Sequence, residues 1–257
     1  MQIEIWSDVV CPWCFVGKRR FEAALARFPH AHAVEVTWRS FELDPSAPRE
    51  RGVAVEHLAA KYGVSRPEAQ AMHDRMTRVA AAEGLAFRLD IARPGNTFDA
   101  HRLLHLAGEQ GVQDAVKERL LAAYLCEGQP VGNVAVLARL AADAGLDPEE
   151  ARAVLAGDAY AGEVRADEAT ARALGITSVP FFVVDRAYGV AGAQSPEVLT
   201  ELLEAVWAES LPDTTGQEDA ARVTGDGAGP DNGDDPAADG GHDVAACADG
   251  SCAVPTR

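Results

Sequence analysis

No stretch of this sequence approaches the roughly 18 apolar residues that a bilayer-crossing helix needs. Nor does it open like a secretory leader. Met1-Gln2-Ile3-Glu4-Ile5-Trp6 alternates polar and apolar residues from the start, with no basic segment followed by an apolar one. A cytoplasmic protein without membrane partners is expected. Positive charge is scarce as well: 23 Lys and Arg stand against 40 Asp and Glu, a formal net charge of -17. Such a chain repels nucleic-acid phosphates and anionic lipid surfaces, so neither is expected as a main partner. Aromatic residues make up only 6% of the 257, and alanine is abundant. That balance disfavours an all-β fold and favours helices. No internal repeat is found. Cysteines are few: Cys11, Cys14, Cys126, Cys247 and Cys252. In a reducing compartment such residues serve as redox or metal groups more often than as structural staples.

What is present is enough for a core, since 47% of the residues are hydrophobic. Residues 2–8 read as a strand. A helix follows from Cys11 to about Phe28, with Phe15, Phe21, Ala24, Leu25 and Phe28 on its apolar stripe and Pro29 closing it. Val34-Glu35-Val36-Thr37-Trp38 alternates again, completing a strand–helix–strand unit of the parallel type. From about Val53 to Leu174 the pattern is almost wholly helical. Ser65-Arg66-Pro67-Glu68 has capping-box spacing, Asn96 stands as an N-cap, and Asp147-Pro148 opens a later helix. Strand character returns at Phe181-Phe182-Val183-Val184, followed after a turn by Tyr188-Gly189-Val190-Ala191 as a hairpin. Ser195-Pro196 then starts a last helix. Sheet material at both ends with helices between predicts a helical segment inserted into a small α/β domain.

Cys11-Pro12-Trp13-Cys14 lies at the strand-to-helix junction. Two thiols on the first helical turn can close a disulfide with little backbone movement. The helix N-terminus favours an anion, so Cys11 is expected to be the readier thiolate and Cys14 the resolving thiol. Pro12 sits where its missing N–H costs nothing. A zinc half-site and a pair of inert core thiols stand as alternatives, the first needing two further ligands.

With these elements in view, the chain resembles the DsbA family, and more narrowly its cytosolic FrnE-type branch. That branch is similar to 2-hydroxychromene-2-carboxylate isomerases and kappa-class glutathione transferases. The residues that carry the likeness are the Cys-Pro-Trp-Cys opening, Asn96-Thr97-Phe98-Asp99-Ala100-His101-Arg102 and Gly175-Ile176-Thr177-Ser178-Val179-Pro180-Phe181, and the likeness spans about residues 1–208. It implies an α/β, thioredoxin-like fold made of residues 1–50 and 160–208, a helical insertion over 51–159 and a disordered acidic tail over 209–257. It also implies a cis bond before Pro180, with Val179 and Pro180 facing the cysteines and the Val179 backbone offering a strand edge to an extended substrate. Asn96 and His101 would sit at the rim of a substrate groove, His101 also having a reading as a packed or surface histidine. Asp8 has two readings, a proton acceptor and a solvated or capping residue. Periplasmic members carry a His where Trp13 stands, and the isomerase and transferase relatives place a Ser at the position of Cys11. Retention of both cysteines argues for dithiol chemistry.

Cys126 lies in an apolar helical run and reads as a small buried hydrophobe. From Ser210 to Arg257 ten Asp or Glu face two Arg, with much Gly and Pro. Within this segment Cys247-Ala248-Asp249-Gly250-Ser251-Cys252 reads as a second redox pair exchanging with Cys11, a metal half-site with His242 or with the first cysteine pair, or an incidental pair. The expected function is thiol–disulfide exchange on protein or small-molecule thiols and disulfides. No metal or organic cofactor is expected, and glutathione is a candidate thiol co-substrate. Two rival readings are a glutathione-dependent isomerase or transferase acting on a small aromatic or polyketide molecule, and a zinc-binding interaction protein.

Overall fold

A computed structural model describes residues 1–211. Strand β1 (Gln2–Ser7) is central in a four-stranded sheet of order β2-β1-β3-β4. It pairs parallel with β2 (Glu35–Ser40), Ile5 opposite Trp38, and antiparallel with β3 (Phe181–Val184), Ile5 opposite Phe182. Strand β4 (Tyr188–Ala191) returns antiparallel to β3. The parallel pair is joined by helix α1 (Pro12–Arg27), as a parallel pair requires. Between β2 and β3 the chain forms α2 (Ala54–Tyr62), α3 (Arg66–Ala82), α4 (Phe98–Glu109), α5 (Gln113–Leu125), α6 (Val134–Asp143), α7 (Pro148–Ala156) and α8 (Ala161–Ala173). Helix α9 (Pro196–Ser210) ends the described region.

The central strand is buried on both faces, which splits the core in two. Ile3 and Ile5 of β1 join Phe182 and Val184 of β3, Phe21, Ala24 and Phe28 of α1, and Leu199, Leu203 and Val206 of α9. Trp6, facing the other way, belongs to a larger core with Cys14, Phe15 and the helical block, including Leu103, Leu120, Leu137 and Leu140. Local chemistry matches the helix starts. The Ser65–Glu68 capping box is complete, the Asp147 carboxylate accepts from Glu149 N and Glu150 N, and the Ser195 hydroxyl accepts from Val198 N. One expected cap moves: Thr97 is the N-cap of α4 and makes no side-chain cap. Asn96 sits one residue earlier, and its Oδ1 accepts from Phe98 N at 3.0 Å, an Asx turn rather than a cap. Among the described residues no helix is long and apolar enough to cross a membrane.

Candidate active site

Strand β1 delivers the chain into a tight turn, where Cys11 N donates to Asp8 O at 3.2 Å. Cys11 is the N-cap of α1 in extended conformation, and Pro12 takes the first helical position. Both thiols are free. Cys14 is fully buried and Cys11 is 5% exposed, opening onto a cavity of about 330 Å³. Across that cavity the loop Thr177-Ser178-Val179 forms a wall. The Cys11 thiol donates to the Val179 carbonyl at 3.6 Å, and the bond between Val179 and Pro180 is cis. Behind it the Pro180 ring packs on Gly17 of α1, where a Cβ would stand 2.9 Å from Pro180 Cγ. Trp13, 46% exposed, flanks the mouth. Leu43, Leu58, Leu89 and Tyr124 supply an apolar lining, while Arg51 and Lys61 bring positive charge to one side. Burial, together with these two charges, pushes the His57 ring below the usual imidazole value. Arg51 donates to the His57 ring at 2.9 Å and pairs with Asp44 at 2.8 Å.

The two thiols titrate as one unit. The hydrogen bond between the sulfurs pushes Cys11 well up, burial pushes it further, and the Cys14 charge adds to both. Burial alone would also raise Cys14. The hydrogen bond from Cys11, the Lys117 charge and the Ser7 hydroxyl outweigh it, so Cys14 lies below the ordinary thiol value. The expectation that the helix terminus favours the Cys11 thiolate meets opposing effects at this sulfur. The terminus does act, through the Cys14 N–H, but sulfur pairing and burial outweigh it. In the resting dithiol the first negative charge belongs to the pair, with Cys11 held up and Cys14 held down.

Beneath the thiols lie charges that the sequence did not announce. Asp8 is fully buried, not solvated. Burial would raise its carboxyl, yet His101, the Leu43 N–H and Lys117 hold it below the usual carboxylate range. His101 Nε2 stands 3.4 Å from Asp8 Oδ1. Lys117, also fully buried, donates from Nζ to Ser7 O at 3.3 Å. Burial pushes its ammonium down to about 8.

A family model described as the DSBA-like thioredoxin domain matches residues 2–204. The chain belongs to this family. The fold is thus the DSBA-like thioredoxin fold, with helices α2–α8 lying between its second and third strands. A probable DsbA oxidoreductase from Streptomyces coelicolor is 52% identical, with a TM-score of 0.79 over 82% of this chain and 92% of that one. The uncharacterized protein YwbO of Bacillus subtilis (strain 168) is 30% identical over 186 residues, 72% of this chain and 86% of that protein. The cytosolic disulfide reductase DsbM from Pseudomonas aeruginosa, solved with GSH, shares the fold at 18% identity. Its TM-score is 0.57 over 81% of this chain and 100% of that one.

Cys11, Cys14, Pro12, Trp13, Val179 and Pro180 therefore come together from two distant segments of this DSBA-like domain. Asn96 and His101 do not reach the groove. Its lining takes their neighbours Gly95 and Thr97. Asn96 instead donates to Glu42 at 3.3 Å, and His101 has no exposed surface. Cys126 is half-buried at the C-cap of α5, not in mid-helix. Cys247, Cys252 and His242 lie outside the described residues. Sequence reasoning missed Lys117 and Gly17. The glycine carried a signal, since a Gly inside a helix costs about 1 kcal/mol against Ala and points to a close approach.

Proposed function

We propose that the protein is a thiol–disulfide oxidoreductase in which Cys11 attacks and Cys14 resolves. One observation carries the reading: the Cys11 sulfur opens onto a cavity beside the Val179 carbonyl, with the fully buried Cys14 thiol one helical turn behind it. The proton held between the sulfurs moves to Cys14, leaving a Cys11 thiolate at the cavity floor. That thiolate attacks one sulfur of a substrate disulfide, forms a mixed disulfide and expels the other sulfur as a thiolate, which takes a proton from water. Cys14 then attacks Cys11, releasing the second thiol and closing the Cys11–Cys14 disulfide. Two electrons pass to the substrate. The Val179 backbone offers an edge for an extended substrate. Arg51 and Lys61 suit carboxylates, so a small anionic thiol such as glutathione is a fitting agent to recycle the centre in a reducing cytoplasm.

Insulin reduction with dithiothreitol tests this. Cys11→Ser is expected to reduce turnover to background, while Cys14→Ser accumulates a mixed disulfide visible by mass spectrometry. Retained turnover in Cys11→Ser would overturn the assignment. Conversion of a chromene carboxylate in the presence of glutathione, without insulin reduction, would favour the isomerase reading instead.

A further inference from the structure

Two lysines are buried in this molecule, and they are treated differently. Lys18 on α1, 2% exposed, is surrounded by carboxylates: Glu22, Asp114 at 3.1 Å and Glu118 at 3.2 Å. Lys117 on α5 has none within 4.0 Å among the described residues. Its Nζ meets one backbone carbonyl, Ser7 O, and rests 5.4 Å from the centre of the Trp38 ring. An ammonium withdrawn from water without a carboxylate in contact is costly to keep. The Ser7 carbonyl that it meets precedes Asp8, whose own carbonyl accepts from Cys11 N, and the negative groups that act on it are Cys14, Asp8 and Cys11.

We propose that Lys117 is a positioning residue for the dithiol, its ammonium holding the thiolate of the reduced pair and so setting the reduction potential of Cys11–Cys14. The proposal rests on the exchange reading above. The groups that bear on Lys117 come from each element around it. From α1 these are Cys14, Cys11 and Lys18; from the turn after β1, Asp8. Strand β1 gives the Ser7 carbonyl and β2 the uncharged Trp38 ring. On α4, His101 faces Asp8. Asp114 and Glu118, on α5 itself, are engaged by Lys18.

The electrostatic balance fixes a direction. The reduced pair carries one thiolate and one thiol. Oxidation joins the sulfurs and sends two electrons to an acceptor disulfide. One departing thiolate takes the proton of the remaining thiol, and the other takes a proton from water. The negative charge on the pair is gone, and Lys117 loses its counter-charge. Lys117 therefore favours the reduced state and makes the centre more oxidising. Asp8, a buried negative charge that raises Cys11, acts in the opposite sense. Because burial brings Lys117 to about 8, its charge is present at pH 7 and fades as the pH rises through that value.

The test uses the full chain with Lys117→Met, Lys117→Gln and Asp8→Asn. Thiolate absorbance near 240 nm is followed against pH, and the dithiol is equilibrated in glutathione buffers. Removing Lys117 is expected to raise the midpoint of the first thiol by about one pH unit or more. The equilibrium should shift about tenfold toward the disulfide, a potential about 30 mV lower. Asp8→Asn is expected to move both readouts the other way. A merely structural role would not give opposite signs for the two charges. Unchanged midpoints in both Lys117 variants, or shifts of the same sign for Lys117→Met and Asp8→Asn, would overturn the proposal. The thiolate titration does not depend on turnover, so a wild type that titrates but cannot exchange disulfides would overturn the exchange reading alone.

Discussion

The two faces of the sheet are built to different rules. On the α1–α9 face, Ile3, Ile5, Phe21, Phe182, Leu199 and Leu203 make an apolar core, and the buried ammonium at its edge, Lys18, 6.0 Å from the centre of the Trp38 ring, is matched by carboxylates. On the face covered by the helical block, the core wraps two thiols and borders Asp8, His101 and Lys117, all withdrawn from water. The first arrangement spends its burial on stability. The second gives some of that stability up to hold charge beside two thiols, the kind of place where perturbed groups gather at functional sites. Lys18 is held above the usual lysine value and stays charged near neutral pH, so stability of the first face should vary little with pH there, and that of the second should vary more.

The largest effect that separates the faces is expected at Phe182, fully buried and 5.5 Å from the Phe21 ring. Phe182→Ala should cost about 3–5 kcal/mol in urea unfolding while leaving the potential of the dithiol where it was. A shifted potential would show that the faces are not independent. Next comes Lys117. A base held near 8 in the fold and at 10.5 when unfolded binds fewer protons in the native state between those values, so stability should rise with pH across that window. Removing the ammonium should therefore stabilise the protein at pH 7, by roughly 3 kcal/mol at most, and the gain should shrink above pH 8. A gain that stays flat with pH would mean that the buried charge costs nothing. The smallest effect is set for Gly17. Gly17→Ala drives a methyl against the Pro180 ring and should cost about 1–3 kcal/mol, with slower exchange as the Val179 carbonyl is displaced. Undiminished exchange would free the loop of its dependence on α1.

The same contrast explains what could be read from the chain. The apolar face follows simple patterns: alternation in β1, a short apolar run in β3, and a helical stripe at Phe21, Ala24 and Phe28. It was legible for that reason. So was the Cys11–Cys14 pair, because spacing and strand–helix context are local. Asn96 misled by one residue because the same side chain can close an Asx turn or cap a helix. Lys117 was invisible. It stands in Val116-Lys117-Glu118-Arg119, where a run of charge looks like a solvated face. Its burial is decided by Ser7 and Trp38, more than 70 residues away in sequence. His101 failed similarly: a helical histidine points to a groove or to a core only after another element has covered it.

Helix α5 carries one more contact with a consequence. Gln113, one turn before Lys117, accepts from Trp38 N at 2.9 Å and donates to Trp38 O at 3.1 Å. A single amide side chain thus stands in for a fifth strand on the open edge of β2. Anyone seeking to cut this protein down to a minimal thioredoxin unit by excising the helices would remove two things with one helix. The trimmed sheet would have a bare edge, free to recruit a neighbour's strand. Its dithiol would also have lost its cation. A successful miniature would need both supplied afresh, with the four-residue spacing kept.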